Sequence, residues 1–302
     1  MCRPYPDAMT GVAPAGLAPS AAALLSGVVD YAGLFPPAGL NMAAALREYT
    51  RASAEGDGWM LGRFVVPASR LSELREHVNG DRPLHLSVIV TDGSEAEREA
   101  IAALPAASVA DAIECKARSL ESVEWLARSF HGIDVYVEID PTAGLEAWMA
   151  GLAATGLRAK IRTGGIVASA FPDPAAVVSF MAAALQAGVP FKATAGLHHA
   201  VRGPYRLTYE PGSADAVMHG YLNVLLAAAT LRAGLAPADA ERVLRATDTS
   251  TLVFAPDAIR WLGLEWPIAS LEALRLDGLT GFGSCSIREP SDEIRALSRR
   301  AH

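Results

Sequence analysis

Lysine is scarce in this chain. Of 26 basic residues only three are lysine, Lys116, Lys160 and Lys192, and the rest are arginine. The two cations differ chemically. A lysine amine can lose its proton when buried or crowded by other cations, and then act as nucleophile or base; arginine stays charged. All three lysines fall in short β-type runs: "VADAIECKA" (109–117), "LRAKIRT" (157–163) and "VPFKATAG" (189–196). Alternate residues of a strand share one face. Glu114 therefore sits with Lys116, Lys160 with Arg162, and Lys192 with Thr194. In a fourth run, "IDVYVEID" (133–140), Glu138 sits with Asp140. Charges within apolar strands are costly unless paired, so four such strands predict one polar cluster. Lys160 beside Arg162, with Lys192 one strand away, is an arrangement that lowers an amine's pKa. The alternative is that the lysines only pair with Glu114, Glu138 and Asp140 as structural ion pairs.

The elements that position these residues alternate. Further β-type runs are "GVVDYAG" (27–33), "GRFVVPA" (62–68), "LHLSVIV" (84–90) and "LTGFGSCS" (279–286), giving eight in all. Most precede a helical run. Asn41 is placed to cap "MAAALREYTRASA", Ser94 to cap the next with Glu97 completing a capping box, and Ser119 to cap a third. Residues 213–233 read as one long helix, and 235–278 hold more helix than a plain crossover needs. Eight β–α units in about 270 residues predict an α/β fold of the (β/α)8 TIM-barrel type with extra helices before the last strand. A doubly wound open sheet is the second choice, and no G-x-G-x-x-G follows the first strand. Residues 1–24 read as a poorly ordered lead-in and 25–302 as a single barrel domain. In such a barrel the active site lies at the C-terminal ends of the strands.

The net charge is −7, which argues against nucleic acid or an anionic membrane as partner and leaves a small anionic substrate, with self-association open. Cys2, Cys115 and Cys285 are too few for a disulfide framework. The expected compartment is the cytoplasm, and no run of about 18 uninterrupted apolar residues suggests a membrane span.

"AKIRTGG" followed one unit later by "FKATAG" resembles the paired lysine strands of class I aldolases of the deoxyribose-phosphate type. The resemblance implies a βα-barrel lyase in which Lys160 forms a Schiff base and Lys192 tunes it, with no cofactor. Thr163 and Gly164 match the end of the family's Lys-Thr-Ser-Thr-Gly motif. Arg162 stands where the family has Ser, and Leu197-His198-His199 replaces its Gly-rich continuation. "DYAGLFPPA", "FKATAGLHH" and "GFGSCS" also resemble motifs of a bacterial protein group to which we attach no activity.

Other residues carry alternatives. His198, His199 and His219 with Glu138 and Asp140 are the candidate ligands of a divalent metal, for a metal-dependent lyase or isomerase, although no His-Glu-x-x-His or Cys-x-x-Cys supports them. His77, His85, His131 and His302 read as surface or helix-end residues. "RTGGI" with Gly164 and Gly165, and "GFGSCS" with Gly283, Ser284 and Cys285, are candidate anion cradles, with charge from Arg162 and Arg202 and contacts from Lys116, Thr163, Thr194 and His198; the same glycines could serve tight turns alone. Cys285 reads as a buried thiol rather than a nucleophile. Asp30 ends the first strand and can reach the same mouth, and "LFPP" reads as a rigid turn. The preferred reading is an aldolase-type lyase acting on a small anionic carbonyl compound, with Lys160 as imine former and Glu114 or Glu138 as proton carrier. The other options are the metal enzyme and a non-catalytic small-molecule binder.

Overall fold

The computed structural model of the chain describes residues 13, 14, 16–78, 83–141 and 144–300. Eight parallel strands close into a barrel: β1 (Val29–Tyr31), β2 (Leu61–Pro67), β3 (Leu84–Ile89), β4 (Ser108–Lys116), β5 (Asp134–Glu138), β6 (Arg158–Arg162), β7 (Phe191–Thr194) and, after a long excursion, β13 (Leu279–Ser284). Each of the first seven pairs with the next, and β13 closes the ring between β7 and β1. The expected (β/α)8 architecture is the one observed.

Helices α2 (Met42–Ala54), α3 (Leu71–Arg75), α4 (Glu95–Ala102), α5 (Leu120–Ser129), α6 (Leu145–Thr155) and α7 (Pro174–Gln186) make the crossovers from β1 to β7. Their starts follow local chemistry. Asn41 Oδ1 accepts from Ala44 N–H, and Ser94 Oγ accepts from Glu97 N–H. Glu97 does not return the bond to Ser94; its carboxylate accepts from the N–H groups of Thr91 and Gly93 and so ties down the preceding loop. Ser119 caps α5 in a reciprocal box with Ser122. The outer faces of the strands carry the apolar core: Phe191 meets Phe180 of α7 edge-on at 5.7 Å.

The excursion between β7 and β13 differs from expectation. Residues 213–220 are not helical. β8 (Gly203–Arg206) and β9 (Asp215–Met218) pair as an antiparallel hairpin, and helix α8 (Tyr221–Arg232) begins only after Gly220. A side chain at Gly220 would meet Ala200 O at 2.5 Å, so the chain is pressed flat there rather than coiled. Beyond α9 (Pro237–Arg245), residues 253–267 form a three-stranded antiparallel sheet, β10 (Val253–Phe254), β11 (Ala258–Trp261) and β12 (Leu264–Pro267), before α10 (Ile268–Asp277). Leu262 and Gly263 join β11 to β12, both with positive φ, as a two-residue hairpin of this hand requires. The short strands place Trp261 and Trp266 fully in the core. Phe282 of β13 stacks on Tyr221 of α8 at 5.1 Å, and α11 (Arg288–Arg300) ends the described chain.

Part of the expected lead-in is ordered. Helix α1 (Pro19–Leu25) buries Ala21, Leu24 and Leu25, packs against α10, and donates a hydrogen bond from Ser20 Oγ to Ala255 O. Residues 1–12, with Cys2, lie outside the described residues, as does His302. The segment 168–186 is long and apolar enough by composition to cross a membrane. Its regular helix is only the 13 residues of α7, started by Asp173 and Pro174, and such a helix rises about 20 Å against a hydrocarbon core of about 30 Å.

Asn41→Ala should cost about 1 kcal/mol of stability through loss of the α2 cap, with Asn41→Asp close to wild type. Denaturant midpoints check this; equal midpoints for all three chains would refute the assignment.

Candidate active site

The barrel interior is ionic. Residues paired side by side on parallel strands face the same way, and the register aligns Glu138, Lys160 and Lys192 across β5, β6 and β7. Lys192 Nζ donates to Asp30 Oδ2 and, at 2.6 Å, to Glu114 Oε1. Ser87 Oγ donates to the same Glu114 oxygen at 2.7 Å. Lys160 Nζ lies 3.2 Å from Glu114 Oε2 and 3.0 Å from Glu138 Oε2. One carboxylate thus bridges the two ammonium groups. Arg63 N–H donates to Asp30 Oδ1. A deeper layer holds Asp134, which pairs with Arg158 at 2.7 Å and Arg63 at 3.7 Å. Tyr136 lies between the layers. Its ring sits under Lys192 Nζ, 5.3 Å from the centroid, and its hydroxyl hydrogen-bonds Thr280 Oγ1.

The charges set each other's protonation. Burial alone would raise the pKa of Glu114, but the ammonium groups of Lys192 and Lys160 and their hydrogen bonds carry it well below the usual carboxylate range. Asp30 is likewise lowered against burial by Lys192 and Arg63. For Lys192, burial favours the neutral amine, yet Asp30 and Glu114 outweigh it and raise the pKa. Two carboxylates thus reach Lys192, the residue expected to tune its neighbour, and favour its own charged form. Near neutral pH these directions favour Lys192 as the ammonium and Glu114 as the anion.

Above this network the strand ends open into a cavity of about 230 Å³. That is below the roughly 300–1,000 Å³ of drug-sized ligand sites, so it suits a small molecule. Glu114 and Lys160 reach its floor, Arg162, Thr194 and Gly283 form its walls, and Phe35, Pro36 and Pro37 close one rim. Lys192 does not line it. The "LFPP" turn is therefore part of the site rather than a passive bend. Gly165, Ile166, Ala195, Gly196, His198 and Cys285 complete the opposite side.

The loops after β6 and β7 are pressed together. A Cβ on Gly164 would meet Phe171 at 2.5 Å and Gly196 Cα at 2.9 Å, and one on Gly196 would meet the same groups. Both glycines serve close backbone approach, and Gly196 also takes a positive φ of 74°. Thr163 Oγ1 donates to Ala195 O at 2.8 Å, holding Ala195 at φ +65°, an unfavourable region for alanine.

The remaining predicted residues divide. Arg162 is exposed at the mouth and makes no ion pair among the described residues. Lys116 is exposed at the end of β4 and does not line the cavity, so only two of the three lysines meet. Asp140 is exposed beyond β5. His198 Nδ1 faces Ser284 Oγ at 3.5 Å and Cys285 Sγ at 3.6 Å; burial, with His199 beside it, lowers its pKa to about 4. Burial also pushes the Cys285 thiol up to about 11, which keeps it protonated and a poor nucleophile. His199 turns the other way, bonding Glu293 at 2.6 Å and stacking on Tyr205. His219 donates from Nε2 to Pro172 O and accepts from Arg202 at Nδ1. His198, His199, His219, Glu138 and Asp140 therefore do not converge as metal ligands, and among the described residues no cluster of three His, Cys, Asp or Glu has a metal-binding arrangement. Arg202 lies outside the mouth. Of the other histidines, His85 pairs with Asp111 at 2.7 Å, while His77 and His131 are exposed.

Sequence reasoning missed the deeper layer. Asp134 and Tyr136 share the face of Glu138, and Arg158 shares that of Lys160, so strand parity already held the signal. Arg63 required knowledge of the pairing of β1 with β2.

The fold and site define a (β/α)8 barrel with a shared-carboxylate lysine pair beneath a small cavity. No protein-family model matches the chain, and no curated protein matches it. A solved structure titled "QR15, an Aldolase" is similar at 9% identity, with 92% of this chain and 99% of that chain covered and a TM-score of 0.48.

Replacing Lys192 with Met should cost about 3–5 kcal/mol, because Asp30 and Glu114 lose their buried counter-charge. Lys160→Met, nearer solvent, should cost less. Denaturant unfolding of both decides; a Lys192→Met midpoint equal to wild type would refute the network. Stability should also fall with acid in two stages. Burial lowers His198 and His219 from 6.5 to about 4, so between those values the unfolded chain binds protons that the folded chain refuses. The contributions of Glu114 and Asp30 are present above their unfolded values of 4.5 and 3.8 and drain away as pH falls towards their lower folded values. A His198→Gln/His219→Gln variant should flatten the first stage; an unchanged slope from pH 6.5 to 4 would exclude that cause.

Proposed function

We propose that the protein is an aldolase-type lyase that makes or breaks a carbon–carbon bond in a small anionic carbonyl compound through an imine on Lys160. The observation that carries this reading is the difference between the two paired lysines. Both touch Glu114, but only Lys160 lines the cavity. Lys192 divides Glu114 with Lys160, which weakens the carboxylate's hold on the reactive amine. Glu138, 3.0 Å from Lys160 and partly exposed, accepts the amine's proton as the amine attacks the carbonyl carbon. Loss of water gives the iminium. Cleavage of the Cα–Cβ bond sends its electron pair into the iminium as an enamine, while the departing carbon's hydroxyl passes its proton through water to the regenerated Glu138 carboxylate. Return of that proton to the enamine carbon and re-addition of water to the iminium release the second product and free Lys160. Glu114, held as the anion, serves as a fixed charge and not as a proton carrier, so the shuttle falls to Glu138, which touches Lys160 but does not line the cavity and reaches the substrate through water. Arg162, with no ion pair of its own, receives the substrate's carboxylate or phosphate.

A second reading is favoured by one observation: each buried charge in the barrel already has a counter-charge, as in a purely structural network. In that case the cavity binds an anion without chemistry.

Borohydride reduction in the presence of short keto acids and phosphorylated aldehydes, followed by mass spectrometry, separates the two. The expected result is an adduct on Lys160 that disappears in Lys160→Arg. Absence of an adduct on every lysine across the panel, with anion binding kept in Lys160→Arg, would leave the binding reading in place.

A further inference from the structure

Arg202, expected at the barrel mouth, lies instead in a separate groove of about 310 Å³ beside the loop that follows β7. The groove shares no lining residue with the mouth. Its walls are Ala200 and Val201 of that loop, Tyr205 of β8, Thr247 and Thr249 after α9, and Ala296 and Leu297 of α11.

The arginine is held in place from three sides. Its backbone N–H donates to Asn223 Oδ1 at 2.8 Å, and Asn223 Nδ2 donates in turn to Val243 O and Ala246 O. The loop backbone is fixed by α8, whose Tyr221 and Leu222 N–H groups donate to His199 O and Ala200 O. The guanidinium donates from Nη1 to His219 Nδ1 at 3.0 Å. His219 can accept there because its Nε2 proton is committed to Pro172 O. A neutral imidazole orients the guanidinium but does not neutralise it.

Among the described residues no carboxylate forms an ion pair with Arg202, although Asp173 is near enough to attract it. The one acidic residue in the groove, Glu293, is engaged by His199 Nδ1 and Ala200 N–H, each at 2.6 Å. Asp173 is bound to Arg245 at 3.2 Å. Partial burial, and then the nearby Arg245 cation, lower the Arg202 pKa, and Asp173 opposes them. The hydroxyls of Thr247 and Thr249 make no hydrogen bond among the described residues, and they stand in the same lining. A positioned guanidinium with no direct ion pair, beside threonine hydroxyls, is the recognition chemistry of an oxyanion.

We propose that this groove is a second ligand site, separate from the barrel mouth, that binds a small oxyanion such as a phosphate or carboxylate group through Arg202. The bound group takes the guanidinium's remaining N–H donors and the threonine hydroxyls, and its charge relieves the repulsion between Arg202 and Arg245. The site does not depend on imine chemistry at Lys160.

Calorimetric titration with inorganic phosphate at constant ionic strength tests the site, using wild type, Arg162→Met to silence the mouth, Arg202→Met and Arg202→Lys. Thermal melts without phosphate confirm that each variant folds. Arg162→Met should retain phosphate binding. Arg202→Met in the Arg162→Met background should weaken it at least tenfold, and Arg202→Lys, which keeps the charge but loses the planar fork, should fall between. Absence of phosphate binding in Arg162→Met, or equal affinity with and without Arg202→Met in that background, would overturn the proposal.

Discussion

The structure depends on one carboxylate shared by two ammonium groups. Glu114 gives Oε1 to Lys192 and Ser87 and Oε2 to Lys160. A lone carboxylate in this position would cost several kcal/mol of desolvation, and so would either lysine. Together they also bind Asp30 and Glu138, so charges from β1, β4, β5, β6 and β7 and a hydroxyl from β3 meet at the barrel axis. The bridge makes two identical side chains unlike. Lys192 is enclosed on a tyrosine ring with two acids, whereas Lys160 lies at the boundary between network and cavity.

Beneath and beside this bridge the interior is arranged as alternating charge. Arg63, Arg158, Lys160 and Lys192 face Asp30, Glu114, Asp134 and Glu138. The apolar core lies on the other side of the sheet, where Phe282, Phe191 and their helix partners pack. Strand alternation separates the two faces, and the covering helices keep the outer one apolar; the inner one is charged here, where barrels of this type are commonly filled by branched apolar side chains. The interior charges match one another, whereas Arg162 at the cavity wall has no ion pair among the described residues.

Much of this could be read from strand parity. Glu114, Lys160, Lys192 and Glu138 meet because each is an inward residue of an alternating run, and the rarity of lysine drew attention to two of the right strands. Rarity also misled. Lys116 has the right parity but sits one residue pair too far along β4 and emerges into solvent. Arg63, Asp134 and Arg158 escaped notice because arginine and aspartate are common here, although their parity is equally telling. The hairpins at 203–218 and 253–267 were hidden because short runs such as "DAVM" carry too few residues to separate a period of 2 from 3.6. His198 and His199 are sequence neighbours that point apart, and only the contacts of the following loop with α11 show where the second one goes.

The touching glycines of the β6 and β7 loops have an evolutionary consequence. With Gly164 and Gly196 in backbone contact under Phe171, neither loop can acquire bulk there without displacing the other, so this half of the entrance is locked as a unit. Change in the volume of the entrance would then have to come from elsewhere on its rim, where Ala32 and Phe35 are only partly buried.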